Sequence, residues 1–293
     1  MQKYVLSILL ILIIASGCSV NNEVQIVLLA GQSNMAGAGN YDDLSITDKL
    51  RLEAVANRVK LSTNEKQAIP LTYYLSPSKS KKYKFEKFFG PELFIGIIVA
   101  EKNPEREFLL IKTALGGTSL HGVWSPDWTK EKAQIVEMDK ERQSVSLYAD
   151  HIQLINQNLQ GLKQEGKRYN IVGIAWMQGE RDAGHAICAP VYGENLERLI
   201  QAYRDDLKNP ELPFVFGQIN STRGKFKAGP SMVRKAMTEV AQSTNACIMI
   251  PTSTDSKWSD YPKYVDNTHY NTEGQKRLGT NMAKALQSLT NSE

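Results

Sequence analysis

Cysteine is scarce in this chain of 293 residues, with only Cys18, Cys188 and Cys247. Three thiols cannot build a disulfide scaffold or a four-cysteine zinc site. Histidine is nearly as scarce: His121, His151, His185 and His269 are all there are. Charge of one sign is lacking too. There are 35 basic and 31 acidic side chains, and a formal +4 gives no dedicated nucleic-acid surface. Internal repeats and low-complexity blocks are absent. A composition 42% hydrophobic and 23% charged excludes a disordered chain, a collagen-like repeat and a many-span membrane protein. What remains is ordinary globular chain, long enough for a large core.

The N-terminus reads as an address. Lys3 is the one charge in the first 17 residues, and Val5 to Ala15 forms an apolar run of about eleven residues. A helix of that length is too short for a hydrocarbon layer of roughly 30 Å. The small residues Ala15-Ser16-Gly17 follow, and then Cys18. The arrangement resembles a bacterial lipoprotein signal, in which residues 1–17 are removed and Cys18 is lipidated. An ordinary signal peptide with a chance cysteine is the plainer alternative. On the lipoprotein reading, residues 18–23 are a tether and 24–293 a single domain, held on a membrane by acyl chains alone. Ser19, rather than Asp, after the cysteine favours the outer over the inner membrane of a bacterial envelope. Export permits a Cys188–Cys247 bond, but spacing leaves the pair equally open to being two buried thiols.

Val24 to Leu29 is a continuous apolar run ending at Ala30-Gly31. A run without alternation predicts a strand buried on both faces, as in a parallel sheet. Similar runs recur at 108–111, 171–176, 214–217 and 247–250. Helical stripes lie between and after them: Leu196, Leu199, Ile200, Tyr203 and Leu207; Val233, Ala236, Met237, Val240 and Ala241; Leu278, Met282, Ala285, Leu286 and Leu289. Residues 91–101 and 148–164 are further expected helices. Strands alternating with helices predict an α/β fold around a parallel sheet. Tyr41 to Phe89 resists this pattern reading. Its basic run, Ser78 to Lys84, is expected to be a solvated loop, with contact to an anionic glycan or phospholipid as the sharper option.

Four segments carry residues with chemical uses. Gly31-Gln32-Ser33-Asn34-Met35 puts a serine between a buried strand and a helix, where unpaired backbone N–H groups face a developing oxyanion. By itself Ser33 is more readily a plain N-cap, which is the usual role of a serine before a helix. Asp266-Asn267-Thr268-His269 spaces a carboxylate and an imidazole three apart before the last helix, so that one can fix the tautomer of the other. Trp176 to Asp182 and Leu115 to Ser119 each follow a predicted strand. The side chain of Gln178 can offer an N–H, and Gly116-Gly117 permits close backbone approach. All of these except the C-terminal pair lie beyond carboxyl ends of strands, where open α/β sheets bind ligands.

Together with Phe89-Gly90-Pro91-Glu92, these blocks resemble the sialate O-acetylesterase-like group of SGNH hydrolases, which is also carbohydrate esterase family 6 and includes acetylxylan esterases. The resemblance runs from about Val24 to Leu289. It implies a three-layer α/β sandwich, flavodoxin-like in its layering, and a serine esterase that removes O-acetyl groups from a carbohydrate without metal or cofactor. It implies Ser33 as nucleophile, His269 as general base then acid, and Asp266 as its orienting partner. The implied oxyanion donors are the backbone N–H of Ser33, a backbone N–H from Gly116 or Gly117, and the Gln178 side chain. Asn34 and Glu180 are implied supports, with Asp182 bracing the same loop. Trp124 matches a position near the pocket, where it either stacks on a sugar or belongs to the core. Met177 departs from the resemblance, since many relatives carry histidine there. Three other readings compete: a surface lipoprotein that binds acetylated glycans without turnover, a glycosidase using Glu180 and Asp182 as its carboxylate pair, and a lipid esterase.

Overall fold

A computed structural model describes residues 22–63, 67–221, 224–253 and 260–290. Cys18 and the N-terminal run lie outside the described residues. Among these described residues ten strands occur in chain order: β1 (Glu23–Gly31), β2 (Gly39–Asn40), β3 (Val59–Thr63), β4 (Ile69–Pro70), β5 (Tyr74–Leu75), β6 (Lys87–Phe89), β7 (Glu107–Ala114), β8 (Arg168–Met177), β9 (Phe214–Gly217) and β10 (Cys247–Ile250). Seven of them form one sheet in the order β10-β9-β8-β1-β7-β3-β4. Six run parallel, and β4 closes one edge antiparallel to β3. A second sheet, β2-β6-β5, is small.

Among the described residues, the ten α-helices are α1 (Ser33–Ala36), α2 (Ile46–Ala56), α3 (Pro77–Tyr83), α4 (Pro91–Lys102), α5 (Lys130–Val136), α6 (Leu147–Gln164), α7 (Glu180–Ala183), α8 (Tyr192–Asp206), α9 (Gly229–Ser243) and α10 (Thr272–Thr290). Successive strand residues face opposite layers, so β1 feeds two cores. Ile26, Leu28 and Ala30 pack with the α6, α8 and α9 side, among them Ile155, Tyr203 and Met237. Val27 and Leu29 pack with the α4 and α10 side, among them Phe94, Ile97 and Leu278. The result is the expected three-layer sandwich. Each large side chain so buried contributes roughly 1.5–3 kcal/mol of transfer free energy.

All five strands read from apolar runs are present, as are the five helices read between and after them. The segment 41–89 holds what the pattern missed. It contains α2, the edge strands β3 and β4, and the small sheet. The basic run is not a solvated loop: residues 77–83 form α3, closed by Lys84 in the left-handed conformation (φ 67°). Cys188 and Cys247 are both free thiols, the first buried and the second half-buried. Among the described residues, no helix is long and apolar enough to cross a membrane.

Candidate active site

Three strands set the place of the site. Gly31, the last residue of β1, pairs with Ala114 at the end of β7 and with Met177 at the end of β8. The strands that follow β1 in the chain extend the sheet first on one side and then on the other, so β1 ends at the switch point of the sheet. The loops after β1, β7 and β8 therefore start at one level. Gly31 has φ 149°, and a Cβ there would stand 2.2 Å from the Met177 carbonyl oxygen. Only glycine lets the chain leave β1 this closely against β8 and turn into Ser33. The Gln32 N–H then donates to the Met177 carbonyl at 2.9 Å.

The turn before α10 supplies the imidazole. Asp266 is the hub of that turn. One oxygen accepts the backbone N–H groups of Thr268 and His269, both at 3.0 Å. The other accepts His269 Nδ1 at 2.6 Å. Burial by itself would raise this carboxyl, but the His269 backbone and ring and the Thr268 N–H outweigh it and hold Asp266 well below the usual carboxylate range. With Nδ1 committed to Asp266, Nε2 is the ring nitrogen left to the cleft. Asn267 takes the left-handed conformation (φ 52°) that closes the turn.

Ser33, His269, Gly116 and Gly117 line one cleft of about 990 Å³, together with Glu180, Arg181 and others. The Ser33 hydroxyl makes no hydrogen bond to His269 or to any other described group. Gly116 lies beside the serine: a Cβ built on it would meet Ser33 Cβ at 3.5 Å. The Gly116 carbonyl accepts Arg142 Nε at 3.2 Å. Among the described residues, the backbone N–H groups of Ser33, Gly116 and Gly117 have no protein acceptor.

Asn34 joins the Ser33 turn to the His269 turn. It is fully buried. Its Nδ2 donates to Glu180 Oε1 at 3.0 Å and to the Thr268 carbonyl at 3.1 Å, and its Oδ1 accepts the Tyr270 N–H at 3.0 Å. Thr268 and Tyr270 flank His269, so one amide holds both neighbours of the imidazole residue. Glu180 also accepts Gln32 Nε2. Burial raises the Glu180 carboxyl, opposed by these amide donors and by His269. Asn34 and Glu180, the two residues expected as supports, are among those that make these contacts. Gln32 had a signal in its position beside Ser33, but its bond to a residue 148 positions away has none in sequence.

One expected placement is corrected, and one open alternative is decided for the core. Gln178 does not reach the cleft. Its side chain is fully buried, and Nε2 donates to the Thr118 carbonyl at 3.0 Å and to Asp182 Oδ2 at 2.6 Å. Both amide hydrogens are used inside the protein, so none is left for an oxyanion. Trp124 is fully buried as well. Its ring packs edge-on to Trp176 at 5.1 Å and its Nε1 donates to Thr118 Oγ1 at 3.2 Å, which leaves no face for a sugar.

Asp182 removes one competing chemistry. It is fully buried and accepts the N–H groups of Leu120 and His121, each at 2.9 Å, besides Gln178. A carboxylate engaged this way braces the Gly116–His121 loop and cannot flank a glycosidic bond, so the Glu180–Asp182 pairing is not a glycosidase pair. Met177 faces the α4–α10 core and not the cleft. His151 is buried against Tyr203, 2.7 Å from Nδ1 to the hydroxyl. His185 lines the cleft, whereas His121 contributes its backbone to Asp182. The cleft also holds Met138, Lys225 and Phe226, which no motif marked. Among the described residues, no group of three His, Cys, Asp or Glu side chains is placed to hold a metal ion.

A family model for carbohydrate esterases, described as sialic acid-specific acetylesterase, matches residues 23–288. A probable carbohydrate esterase of Arabidopsis thaliana is 35% identical over 115 residues, 39% of this chain and 40% of that relative's length. Among solved structures, a protein of Arabidopsis thaliana aligns with a TM-score of 0.65 at 22% identity, covering 90% of this chain and 98% of that one. NanS aligns at 0.62 and 15% identity, covering 92% and 98%. A carbohydrate acetylesterase of Xanthomonas citri aligns at 0.57 and 17% identity, covering 92% and 57%. These likenesses in structure show the fold.

Proposed function

The chain belongs to the carbohydrate esterase family of sialic acid-specific acetylesterases, and from that premise we propose that it removes O-acetyl groups from a carbohydrate through an acetyl-enzyme. Ser33 is the nucleophile, His269 the general base and then acid, and Asp266 the residue that fixes and stabilises the imidazole. His269 takes the Ser33 proton as the oxygen attacks the acetyl carbonyl. The tetrahedral oxyanion is met by the backbone N–H of Ser33 and one from Gly116 or Gly117. The sugar hydroxyl leaves with the proton from His269, and water repeats the sequence on the acetyl-enzyme. The alcohol and the imidazole face one cleft without a hydrogen bond, and such bonds often close only when substrate binds.

The observation that carries this reading is the Asp266–His269 hydrogen bond of 2.6 Å on a turn whose imidazole shares a cleft with Ser33 and the two glycines. It is tested by following acetate release from a panel of acetylated glycans, acetylated sialic acid and acetylated xylan included. Wild type is expected to release acetate from at least one of them and Ser33→Ala to lose at least a thousandfold in rate. Equal rates for the two proteins would refute the nucleophile.

The sequence supports a further proposal, that Cys18 is lipidated and holds the domain at a bacterial envelope membrane. Labelling with an alkyne fatty acid should mark wild type and not Cys18→Ala; label on both, or on neither, refutes it.

A further inference from the structure

Helix α3 lies against both halves of the proposed catalytic machinery. At one end of it, Lys79 Nζ donates to the Gly37 carbonyl at 2.5 Å, just past the helix that Ser33 begins. At the other, Lys82 Nζ lies 3.4 Å from Asp266 Oδ2, the oxygen that accepts His269 Nδ1. Lys82 is held there by its neighbour. Its ammonium sits 4.6 Å from the centre of the Tyr83 ring, and that ring packs on Tyr264 at 4.8 Å. Tyr264 belongs to the catalytic turn, since its N–H donates to the His269 carbonyl at 2.8 Å and its hydroxyl to the Ala38 carbonyl at 2.7 Å.

We propose that Lys82 is a positioning residue that sets the proton affinity of His269 through Asp266. The inference rests on the esterase reading above. A carboxylate oxygen shared between an imidazole and an ammonium gives less negative potential to the imidazole than one it holds alone. Protonated His269 is then stabilised less, and the free base persists to lower pH. Among the described residues, the other charged groups around Asp266 and His269 are Glu180 on α7, Lys263 before the turn, and Arg181, His185 and Lys225 along the cleft. Lys263 is engaged elsewhere, with Nζ on the Asn220 carbonyl at 2.7 Å and on Asn220 Oδ1 at 3.0 Å. Glu180 is held by Gln32 and Asn34. Among the described residues, Lys82 is therefore the cation that reaches the shared oxygen, and it does so from a segment outside every motif of the site.

The Lys82 side chain is about half exposed, 53%, so solvent screens its charge. A unit charge acting across a carboxylate at this exposure is felt more at low salt than at high. The test is the pH profile of kcat/KM on 4-nitrophenyl acetate for wild type, Lys82→Arg, Lys82→Met and Lys82→Glu, at low and at high salt. The acid limb should move to higher pH by about half a unit in Lys82→Met and by about twice that in Lys82→Glu. Lys82→Arg should keep the wild-type limb. High salt should draw the four limbs together. Plateau rates should stay within about threefold, because Lys82 touches no reacting atom. Limbs that coincide for Met, Glu and wild type at low salt overturn the inference, as does an equal shift in the Arg and Met variants. Ser33→Ala measured alongside separates the two levels. If it is inactive while the limbs coincide, only the role of Lys82 fails; if it keeps wild-type activity, the triad fails and this inference with it.

Discussion

Replacing Asn34 by alanine separates the framework of the site from its reacting groups. The Asn34 amide makes no hydrogen bond to Ser33 Oγ, the His269 ring or the Asp266 carboxylate, yet it spans the turns that carry them. Asn34→Ala leaves the Tyr270 N–H and the Thr268 carbonyl without their partner in a buried setting, and it takes one donor from Glu180. Each stranded group costs about 1–3 kcal/mol, so the expected loss of folding stability is roughly 3–5 kcal/mol. The second effect is on geometry. With both shoulders of His269 released, a shift of roughly 1 Å between base and nucleophile lowers the rate by about a hundredfold. Urea unfolding gives the first quantity, and steady-state hydrolysis of 4-nitrophenyl acetate, well below the urea midpoint, gives the second. Asn34→Asp keeps the volume but sets a second carboxyl against Glu180. The pair then holds a proton more tightly in the folded than in the unfolded chain, so the stability of this variant should fall as pH rises. An Asn34→Ala protein within about 1 kcal/mol of wild type and within twofold in kcat would refute the bridge.

Gln178→Ala should lose about 2–4 kcal/mol of stability, because the Thr118 carbonyl and Asp182 lose their shared donor, while kcat falls by much less than the hundred- to thousandfold of a lost oxyanion donor. Unfolding and kinetics on one preparation decide it: unchanged stability with a thousandfold loss would put the amide back in the oxyanion hole. Trp124→Phe should cost about 1–2 kcal/mol and leave KM for an acetylated glycan unchanged; a tenfold rise in KM at full stability would mean that sugar reaches the ring. Burial holds His151 down to about 4 in the folded chain against 6.5 for the free side chain, so the unfolded chain binds the extra proton between those values. Stability from this group is intact above about pH 6.5 and is lost as pH falls towards 4, about 2 kcal/mol of it by pH 5. His151→Gln should flatten the drop in unfolding free energy between pH 7 and pH 5, and an identical drop in both proteins would contradict the assignment.

Continuous apolar runs made the middle of the sheet legible, since the central stretches of β1, β7, β8 and β9 are buried and mostly apolar. The segment 41–89 was opaque for a physical reason. In α2 the apolar Ile46 and Leu50 face solvent while Asp48 is buried, bonded to Ser45 and to Lys276 at 2.6 Å, so its stripe points the wrong way. β3 sits near the sheet edge and breaks its own run with an exposed Lys60. At the site, the Asp266–His269 contact was readable because both residues share one turn. The placements of Gln178 and Trp124 were not, because motif position gives the neighbourhood of a side chain but not whether it faces the cleft or the core. The Thr118 carbonyl and hydroxyl that take these two side chains lie 60 and 6 positions away from them. Asn34 was marked only as support, since nothing local distinguishes an amide that spans 236 residues from one that caps its own turn.

The convergence of Ser33 with the Asp266–His269 pair is tested most directly by peptide mass spectrometry after reaction with a fluorophosphonate serine trap. One adduct per chain is expected, on the peptide carrying Ser33, rising in step with loss of acetate release and abolished in His269→Ala. An adduct confined to another residue, or full turnover by protein labelled at Ser33, would contradict the account.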